Sequence, residues 1–295
     1  MMRTGISHYF GWICLSGLAL AIMGCGEAVP VDNDDIMRFE AVHPSTRATE
    51  TGFEAGDKIG VYITEYENGK PLHLQLGGNY KNNNPVIFDG RVWTADPVIY
   101  WKENTYDVYA YYPFVLPDSV LELAFSVRED QDSVGDDMSG YEASDFLWAT
   151  SKGITRETGP VRLAFSHRMS CLRVNLLKGE DFKGDIPDDT KVLIHSTVTK
   201  SLIDLSTGDI VKDPYAPCRS IVAKKDDNTS FSAIIVPQMV EYKLPLVEVI
   251  CRGVSYLIES RFNFKTGVRH TVNVTLNDDP EQIKIDIGGE IEGWE

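Results

Sequence analysis

Hydrophobic and polar residues alternate along most of this chain with a period of two. In the stretch KIGVYITEY the apolar side chains of Ile59, Val61 and Ile63 occupy every second position, and LELAFSVRE (121–129) repeats the pattern. Such alternation is typical of β-strands, because successive side chains point to opposite faces of a sheet. It predicts strands with one buried face and one solvated face.

The second half of the chain follows the same pattern. No window of a dozen residues carries a helical stripe of apolar positions, and turns rich in Gly, Pro, Asp and Asn separate the apolar runs. Seven further strands are predicted, at KVLIHSTV, SLIDL, SFSAIIVPQ, LVEVICRG, SYLIESRF, HTVNVTLN and QIKIDIG. Many short strands of this kind predict an all-β fold built from antiparallel β-sandwiches.

A change of phase divides the pattern near its middle. Apolar residues occupy odd positions at Val161, Leu163 and Phe165, then even positions at Leu172 and Val174. A one-residue shift exchanges the two faces of a strand, so a bulge or break is expected between Ser166 and Ser170. We place a domain boundary here, which predicts an N-terminal β-sandwich over 58–165 and a C-terminal one over 166–295.

The N-terminus has the organisation of a signal peptide. Arg3 precedes an apolar run from about Phe10 to Met23, and the small residue Gly24 stands before Cys25. The run is shorter than the roughly 20 apolar residues of a membrane span. Residues 1–24 are therefore predicted to be a lipoprotein signal. The alternatives are an ordinary secretory peptide followed by a chance cysteine and a true transmembrane anchor.

Cleavage before Cys25 would leave this cysteine as an acylated N-terminus. Burial of several acyl chains would hold the protein on a membrane, and everything downstream would be extracytoplasmic. Residues 25–57 are polar apart from a few positions such as Ile36, Phe39 and Phe53. This segment is predicted to be an acylated tether followed by a first short strand.

Composition narrows the class of protein. The chain has 295 residues and a formal net charge of −16. The length agrees with two domains, and the acidity argues against nucleic acid as a partner, because phosphate binding needs a basic surface.

Three cysteines lie far apart beyond the N-terminal segment: Cys171, Cys218 and Cys251. Buried thiols are expected for them, with a disulfide between Cys218 and either neighbour as the alternative.

Aromatic residues are concentrated between Val92 and Phe114. Trp93, Trp101 and Tyr109 from this block are the candidates for a surface that stacks against a sugar or a partner. Aromatic residues are also common in strands, so burial in a core is the competing interpretation.

Motifs of catalysis are absent from the sequence, which has no P-loop, GxGxxG, HExxH or GxSxG. The acidic loop REDQDSVGDD resembles the opening of a calcium loop, but Val134 and Tyr141 stand where oxygen ligands are needed. A solvated loop is expected there, and neither a metal nor a cofactor is predicted. Pairs of carboxylates for glycoside hydrolysis stay open, because their separation is not visible in a sequence.

Several stretches, in order, resemble the fimbrillin family of lipoproteins from Bacteroidales bacteria. They are TRATETGFEAGDKIGVY, IYWKENTYDVYAYYPF, SDFLWATSKG, VRLAFSHRMSCLRVNL, SLIDLSTGDI, the IVPQ of 235–238, and GVRHTVNVTLN with the final IEGW. The resemblance implies two transthyretin-like β-sandwiches, export as a lipoprotein, and assembly into fimbriae on the outer membrane. It implies no enzymatic activity.

In the shaft subunits of that family a protease cuts after an arginine near the N-terminus, and a neighbouring subunit's strand fills the groove that opens. The matching position here is Arg47, with Arg38 second; a solvated linker residue is the other interpretation of Arg47. No long apolar tail follows the IEGW segment. The expected role is therefore that of a tip, minor or anchor subunit, unless the last strand is itself the donor.

The resemblance also implies the partners: other fimbrial subunits, the outer membrane through the lipid, and a host or bacterial surface glycan or protein. Ser119 in Asp-Ser-Val and Ser133 in a second Asp-Ser-Val resemble short O-glycosylation sites of these bacteria. Two other functions are weighed against the fimbrial one. The first is a stand-alone glycan-binding lipoprotein that uses Trp93, Trp101 and Tyr109, and the second is a surface glycosidase.

Overall fold

The computed structural model describes residues 35–44, 52–135, 138–279, 284–286 and 291–294, with the backbone alone at 291–293. The predicted signal 1–24, Cys25 and Arg47 lie outside the described residues. Residues Asn33–Glu295 form one compact unit. The division into domains over 58–165 and 166–295, and their transthyretin-like character, therefore stay predictions.

The described secondary structure is almost entirely β, which confirms the predicted fold class. The first ten strands are β1 (Phe39–Val42), β2 (Lys58–Glu67), β3 (Lys70–Pro71), β4 (Lys81–Phe88), β5 (Trp93–Ala95), β6 (Tyr106–Tyr112), β7 (Leu123–Ser126), β8 (Leu147–Ile154), β9 (Val161–Ala164) and β10 (Ser166–His167). Short 3₁₀ helices span Glu142–Ser144 and Arg156–Thr158.

Fourteen further described strands follow. They are β11 (Ser170–Lys178), β12 (Lys191–Val198), β13 (Lys200–Asp204), β14 (Asp209–Lys212), β15 (Cys218–Val222), β16 (Lys224–Lys225), β17 (Ser230–Ile235), β18 (Gln238–Val240), β19 (Pro245–Cys251), β20 (Val254–Glu259), β21 (Phe262–Phe264), β22 (Val268–Leu276), β23 (Lys284–Asp286) and β24 (Ile291–Gly293). Each of the seven strands predicted in this half coincides with one of them.

The strands form several sheets. In the largest, the order is β10-β8-β6-β2-β4-β5-β1-β9, with β3 added beside β2. The second half contributes a sheet ordered β16-β17-β11-β22-β23, where β24 also pairs with β22, and another ordered β15-β12-β19-β20. Strands β14-β13-β7 and β18-β21 form two smaller sheets. Among the described strands, two pairs are parallel, β1 with β9 and β11 with β22.

Two hydrophobic cores lie inside this arrangement. The first is formed by residues between Met37 and Phe165, and it includes Phe39 of β1 and Ile59, Val61 and Ile63 of β2. The second is formed mainly by residues beyond position 120 and contains the inward side chains of β11, β12, β17, β19 and β22. At the predicted break, Leu163 belongs to the first core and Leu172 to the second. The change of phase therefore marks the point where the chain leaves the first core and enters the second.

The central strands β2 and β6 are buried on both faces. Tyr62 of β2 and Tyr109 and Tyr111 of β6 point into the second core, while the residues between them point into the first. The expectation of one solvated face is therefore wrong for β2, because the second core covers the face that alternation assigns to water. It is correct for β7, where Leu123 and Phe125 are buried and their neighbours are exposed.

Gly60 leaves no room for a side chain at the centre of β2. A Cβ atom at this position would overlap the Tyr111 ring and lie 2.7 Å from Asn83 Oδ1. The Tyr111 hydroxyl lies 2.7 Å from Asn83 Oδ1 and 2.8 Å from the Val115 carbonyl, so it can donate its hydrogen to either acceptor, and these contacts hold the ring in place. The close approach of Tyr111 therefore requires glycine here.

Replacing Gly60 with alanine is expected to lower the free energy of unfolding by about 1–3 kcal/mol, the usual cost of inserting atoms into a packed core. Gly77→Ala is the matched control, because nothing lies within 4 Å of a Cβ built there. Urea unfolding of both variants and the parent protein measures the difference. Equal midpoints for the two variants would contradict the packing described here.

Candidate functional site

The most distinctive feature of the fold is the position of its first described strand. β1 lies between β5 and β9, although it precedes both by many residues. It pairs with β9 in parallel over four positions, from Phe39 opposite Val161 to Val42 opposite Ala164. On its other side the register with β5 contains a single pair, Phe39 opposite Trp93. The N-terminal strand thus completes a sheet whose other members come from the body of the protein.

The local sequence explains why β1 occupies this place. In IMRFEAV the apolar side chains of Met37 and Phe39 alternate with the charged side chains of Arg38 and Glu40. Met37 and Phe39 are buried in the first core, whereas Arg38 and Glu40 are exposed. Glu40 lies 3.4 Å from Arg162 across the parallel pair, an exposed ion pair of small energetic effect. Burial of the two apolar residues therefore holds the strand in place.

Backbone hydrogen bonds fix the residues just before β1. The Met37 N–H donates to the Ile99 carbonyl at 2.9 Å, and the Trp101 N–H donates to the Asp35 carbonyl at 2.7 Å. The Asp35 carboxylate also contacts the guanidinium of Arg156 at 2.7 Å. The segment entering the sheet is consequently bonded to the chain that follows β5 and to the 3₁₀ helix that precedes β9.

An open groove runs beside β1 where it diverges from β5. Its volume is about 940 Å³, and it is bordered by β1, by β5 and by Phe53. The apolar side chains of Val42 and Val92 on its rim are 64% and 57% exposed. The groove therefore presents apolar surface to solvent next to β1.

His167 connects the end of the β1 segment with the end of the described chain. Its Nδ1 lies 2.9 Å from Asp145 Oδ1, and its Nε2 lies 3.3 Å from the Pro44 carbonyl. The Trp294 indole is stacked on the His167 ring, with centroids 3.7 Å apart and an angle of 3° between the planes. His43 packs edge-on against the same ring at 5.9 Å. The residues that follow β1 and the last described residue therefore meet at one buried imidazole.

The two arginines predicted for processing differ in position. Arg38 immediately precedes β1, and its carbonyl accepts a hydrogen bond from the Val161 N–H at 2.8 Å. Arg47 falls between Pro44 and Gly52, outside the described residues. Only a cut on the C-terminal side of β1, as at Arg47, would separate this strand from the body of the protein.

The aromatic residues predicted as a ligand surface are buried. Trp93 and Trp101 belong to the first core and Tyr109 to the second, with exposed fractions of 8%, 9% and 7%. The prediction that these three residues form an exposed stacking surface needs correction, because their side chains are packed in the two cores. The structure agrees instead with the competing interpretation, in which these three aromatic residues pack in a core. Burial of neighbouring Tyr106 raises the pKa of its hydroxyl to about 12.

The remaining predicted positions lie on the surface or in the cores. Ser133 is exposed and its hydroxyl donates to the Asp130 carbonyl, whereas half-buried Ser119 accepts hydrogen bonds from the N–H groups of Leu121 and Glu122. Their glycosylation stays a prediction. Cys171 and Cys251 are buried in β11 and β19, and Cys218 is exposed on β15.

The acidic loop forms turns in the part that is described. The N–H of Asp132 donates to Asp130 Oδ1, and that of Lys225 donates to Asp132 Oδ1. Asp136 and Asp137 lie outside the described residues. Within the described ranges, no group of three or more His, Cys, Asp and Glu side chains is arranged to hold a metal ion. The helices found in those ranges are too short or too polar to cross a membrane.

Solved structures share this fold. A crystal structure from Bacteroides uniformis, named "putative cell adhesion protein", aligns with a TM-score of 0.68 at 18% identity and covers 89% of this chain and 99% of that one. A second protein of the same name from Bacteroides ovatus aligns with a TM-score of 0.64 at 20% identity, covering 88% of this chain and 96% of its own. The architecture is that of an all-β protein of the kind found in these two structures.

A model of the fimbrillin-like family matches residues 46–294, and the chain belongs to this family. The family is one of fimbrial structural and adhesion proteins. A relative from Bacteroides ovatus, named "Putative fimbrium tip subunit Fim1C", is 28% identical over 152 residues, which is 45% of this chain. The matched part spans only 26% of that relative's length. The resemblance inferred from the sequence motifs is thereby confirmed.

Proposed function

We propose that this chain is a subunit of a surface fimbria, exported as a lipoprotein acylated at Cys25 and assembled by exchange of its first strand. In this proposal the subunit is built into the polymer when residues up to Arg47 are removed together with β1. The observation that carries the proposal is the position of β1, an N-terminal strand inserted between β5 and β9 of the body.

Loss of β1 would leave two unpaired strand edges facing each other. β9 would lose a four-residue parallel partner, and the first core would lose the side chains of Met37 and Phe39. Unpaired edges above an uncovered apolar surface bind extended strands from other chains readily. A strand donated by another subunit would restore both the hydrogen bonds and the core.

The contacts of β1 with the rest of the sheet support the proposal that a strand from another subunit can replace it. β1 is short, it pairs with β5 at only one position, and an open groove of about 940 Å³ lies beside it. A donor strand could enter along β5 as β1 leaves. Repetition of this contact from one subunit to the next does not close into a ring, so it produces a filament.

The proposed location is the outer membrane and the fimbrium, and the proposed partners are other fimbrial subunits. Tip, minor and anchor positions are proposed, and the name of the 28% identical relative supports the tip among these. A host or bacterial surface glycan or protein is the proposed target of adhesion. The glycan-binding alternative loses its support, because Trp93, Trp101 and Tyr109 are buried.

Arg47→Ala is expected to abolish assembly, since β1 would stay covalently attached and keep its groove occupied. Polymer ladders of the parent protein on gels of unboiled samples should disappear, with nearly all of the variant migrating as a monomer. Arg38→Ala is the matched control and should keep the ladder, because a cut there leaves β1 on the body. A normal ladder from Arg47→Ala would contradict the proposal. Loss of the ladder in Arg38→Ala but not in Arg47→Ala would contradict it as well.

A further inference from the structure

A serine, a histidine and a glutamate form a continuous hydrogen-bonded chain on the outer face of the β15-β12-β19-β20 sheet. Ser220 Oγ of β15 lies 2.7 Å from Nδ1 of His195 on β12. On the far side of the ring, His195 Nε2 lies 2.9 Å from Oε2 of Glu248 on β19. These three side chains are far apart in sequence, and the strand register alone brings them together.

The direction of the hydrogen bonds follows from the chemistry of the groups. An ionised carboxylate only accepts, so His195 Nε2 must carry the hydrogen that lies toward Glu248. In the neutral imidazole Nδ1 is then an acceptor, and the Ser220 hydroxyl donates to it. This is the relation that lets a histidine remove the proton of a serine hydroxyl while a carboxylate orients the ring.

Glu248 is itself held in place. Its second oxygen, Oε1, accepts a hydrogen bond from the Ser255 hydroxyl at 2.5 Å. The Ser255 hydrogen bond, together with His195, lowers the pKa of the Glu248 carboxyl below its ordinary value. The carboxylate is therefore ionised at neutral pH and has one oxygen fixed by serine and the other directed at histidine.

A β-bulge in β12 lies directly at the His195–Ser220 pair. Ile194 is opposite Ile221 and Thr197 is opposite Arg219, so His195 and Ser196 together face the single residue Ser220. Ser196 adopts a positive φ of 59°, which is uncommon for a residue with a side chain. Bulges and strained backbone of this kind are concentrated at functional sites, where they aim a side chain.

The surroundings of Ser220 are open. Ser220 is exposed, and β15 is the end strand of its sheet. The Val222 N–H points away from β12, since it donates to the Glu129 carbonyl. By the period of two, the Ser220 N–H points the same way. The Ser220 N–H is close to the hydroxyl of the same residue. When that hydroxyl attacks a carbonyl, the N–H can donate a hydrogen bond to the oxyanion that forms.

We propose that Ser220 is a nucleophile activated by His195 and oriented through Glu248, and that it accepts acyl groups from short-chain carboxylic esters. Ser220 Oγ bonds to the acyl carbon while its proton passes to His195 Nδ1. The ester C–O bond breaks, and the leaving alkoxide takes that proton as an alcohol. Water then attacks the acyl-serine with His195 as base, which releases the acid and restores the hydroxyl. An open sheet face suits a small acyl group such as acetyl.

The experiment uses the full chain purified in detergent and two probes, 4-nitrophenyl acetate and a fluorophosphonate that labels activated serines. Every protein carries Cys218→Ala, which removes an exposed thiol on the same strand. Mass spectrometry of peptides should locate both adducts at Ser220. Ser139 is the internal control, because it is half-buried and its hydroxyl donates to Glu142 Oε2 at 2.8 Å with no histidine bonded to it.

His195→Gln is expected to slow labelling of Ser220 by at least about 100-fold, the usual contribution of a general base. Glu248→Gln should also slow it, and Ser139→Ala should leave it unchanged. Circular dichroism of each variant shows that the sheet is intact. The proposal would be overturned if neither probe modified Ser220 to a greater extent than Ser139. It would also be overturned if labelling of Ser220 were unchanged in His195→Gln. Fluorophosphonate labelling without hydrolysis of the acetate ester would overturn its substrate class.

Discussion

Replacing Trp294 with alanine is expected to destabilise the protein by about 3–5 kcal/mol, the range observed when a buried tryptophan is truncated. Trp294 is 1% exposed and belongs to the second core. Its indole is stacked on His167, lies 5.9 Å from the Arg269 guanidinium, and its backbone N–H donates to the Gly267 carbonyl at 2.9 Å. Alanine would keep the backbone bond and lose the ring contacts.

The measurement is thermal unfolding of the variant beside the parent protein. For a chain of this size, the expected loss corresponds to a midpoint lower by about 10 °C. Tyr215→Ala is the control for removing an aromatic ring, because Tyr215 is 94% exposed and its loss should shift the midpoint little. Trp294→Phe should fall between the two. A midpoint for Trp294→Ala equal to that of Tyr215→Ala would show that the end of the chain does not stabilise the fold.

Replacing Cys25 with alanine is expected to transfer the protein from the membrane to the soluble fraction. One acyl chain gives only weak and reversible membrane binding, with an association constant of about 10⁴ M⁻¹, whereas several chains together hold a protein stably. Alanine carries no thiol to acylate, so the whole anchor would be lost in one step. Nearly complete transfer is therefore expected, and not a partial redistribution.

Fractionation of cells and detergent extraction measure the distribution, and the mass of the N-terminal peptide shows whether acyl chains are attached. Cys14→Ala is the matched control, because Cys14 lies inside the predicted signal 1–24 and would be removed with it. This variant should stay in the membrane fraction. An unchanged distribution of Cys25→Ala, with no acyl chain on Cys25 in the Arg47→Ala protein that keeps this segment, would refute the lipoprotein proposal.

The strands could be predicted from the sequence because alternation is a local property. The runs around Val61, Leu123 and Val272 each show a period of two, and each forms a strand. The break between Phe165 and Leu172 was likewise visible as a change of phase. Whether one or both faces of a strand are buried was not predictable in this way, since Tyr62 belongs to a core that is formed mainly by residues beyond position 120.

The pairing of strands that are distant in sequence depends on register, which no local pattern carries. Phe39 pairs with Val161 in parallel, and nothing in either run indicates the other. The contacts of His167 with Pro44 and Trp294 have the same origin. Ser220 and His195 were missed for this reason as well: the serine is outside any GxSxG motif, and only the register of β15 on β12 places it against the imidazole.

The parallel alignment of β1 with β9 has a mechanical consequence for a subunit that is still tethered at its N-terminus. Tension transmitted through the residues before Phe39, and directed along the strand, acts on the whole β1–β9 ladder in shear. The paired positions from Phe39 to Val42 then share the force, and they yield together instead of opening one after another. A short strand can therefore resist pulling along its axis and still be peeled away sideways from its far end.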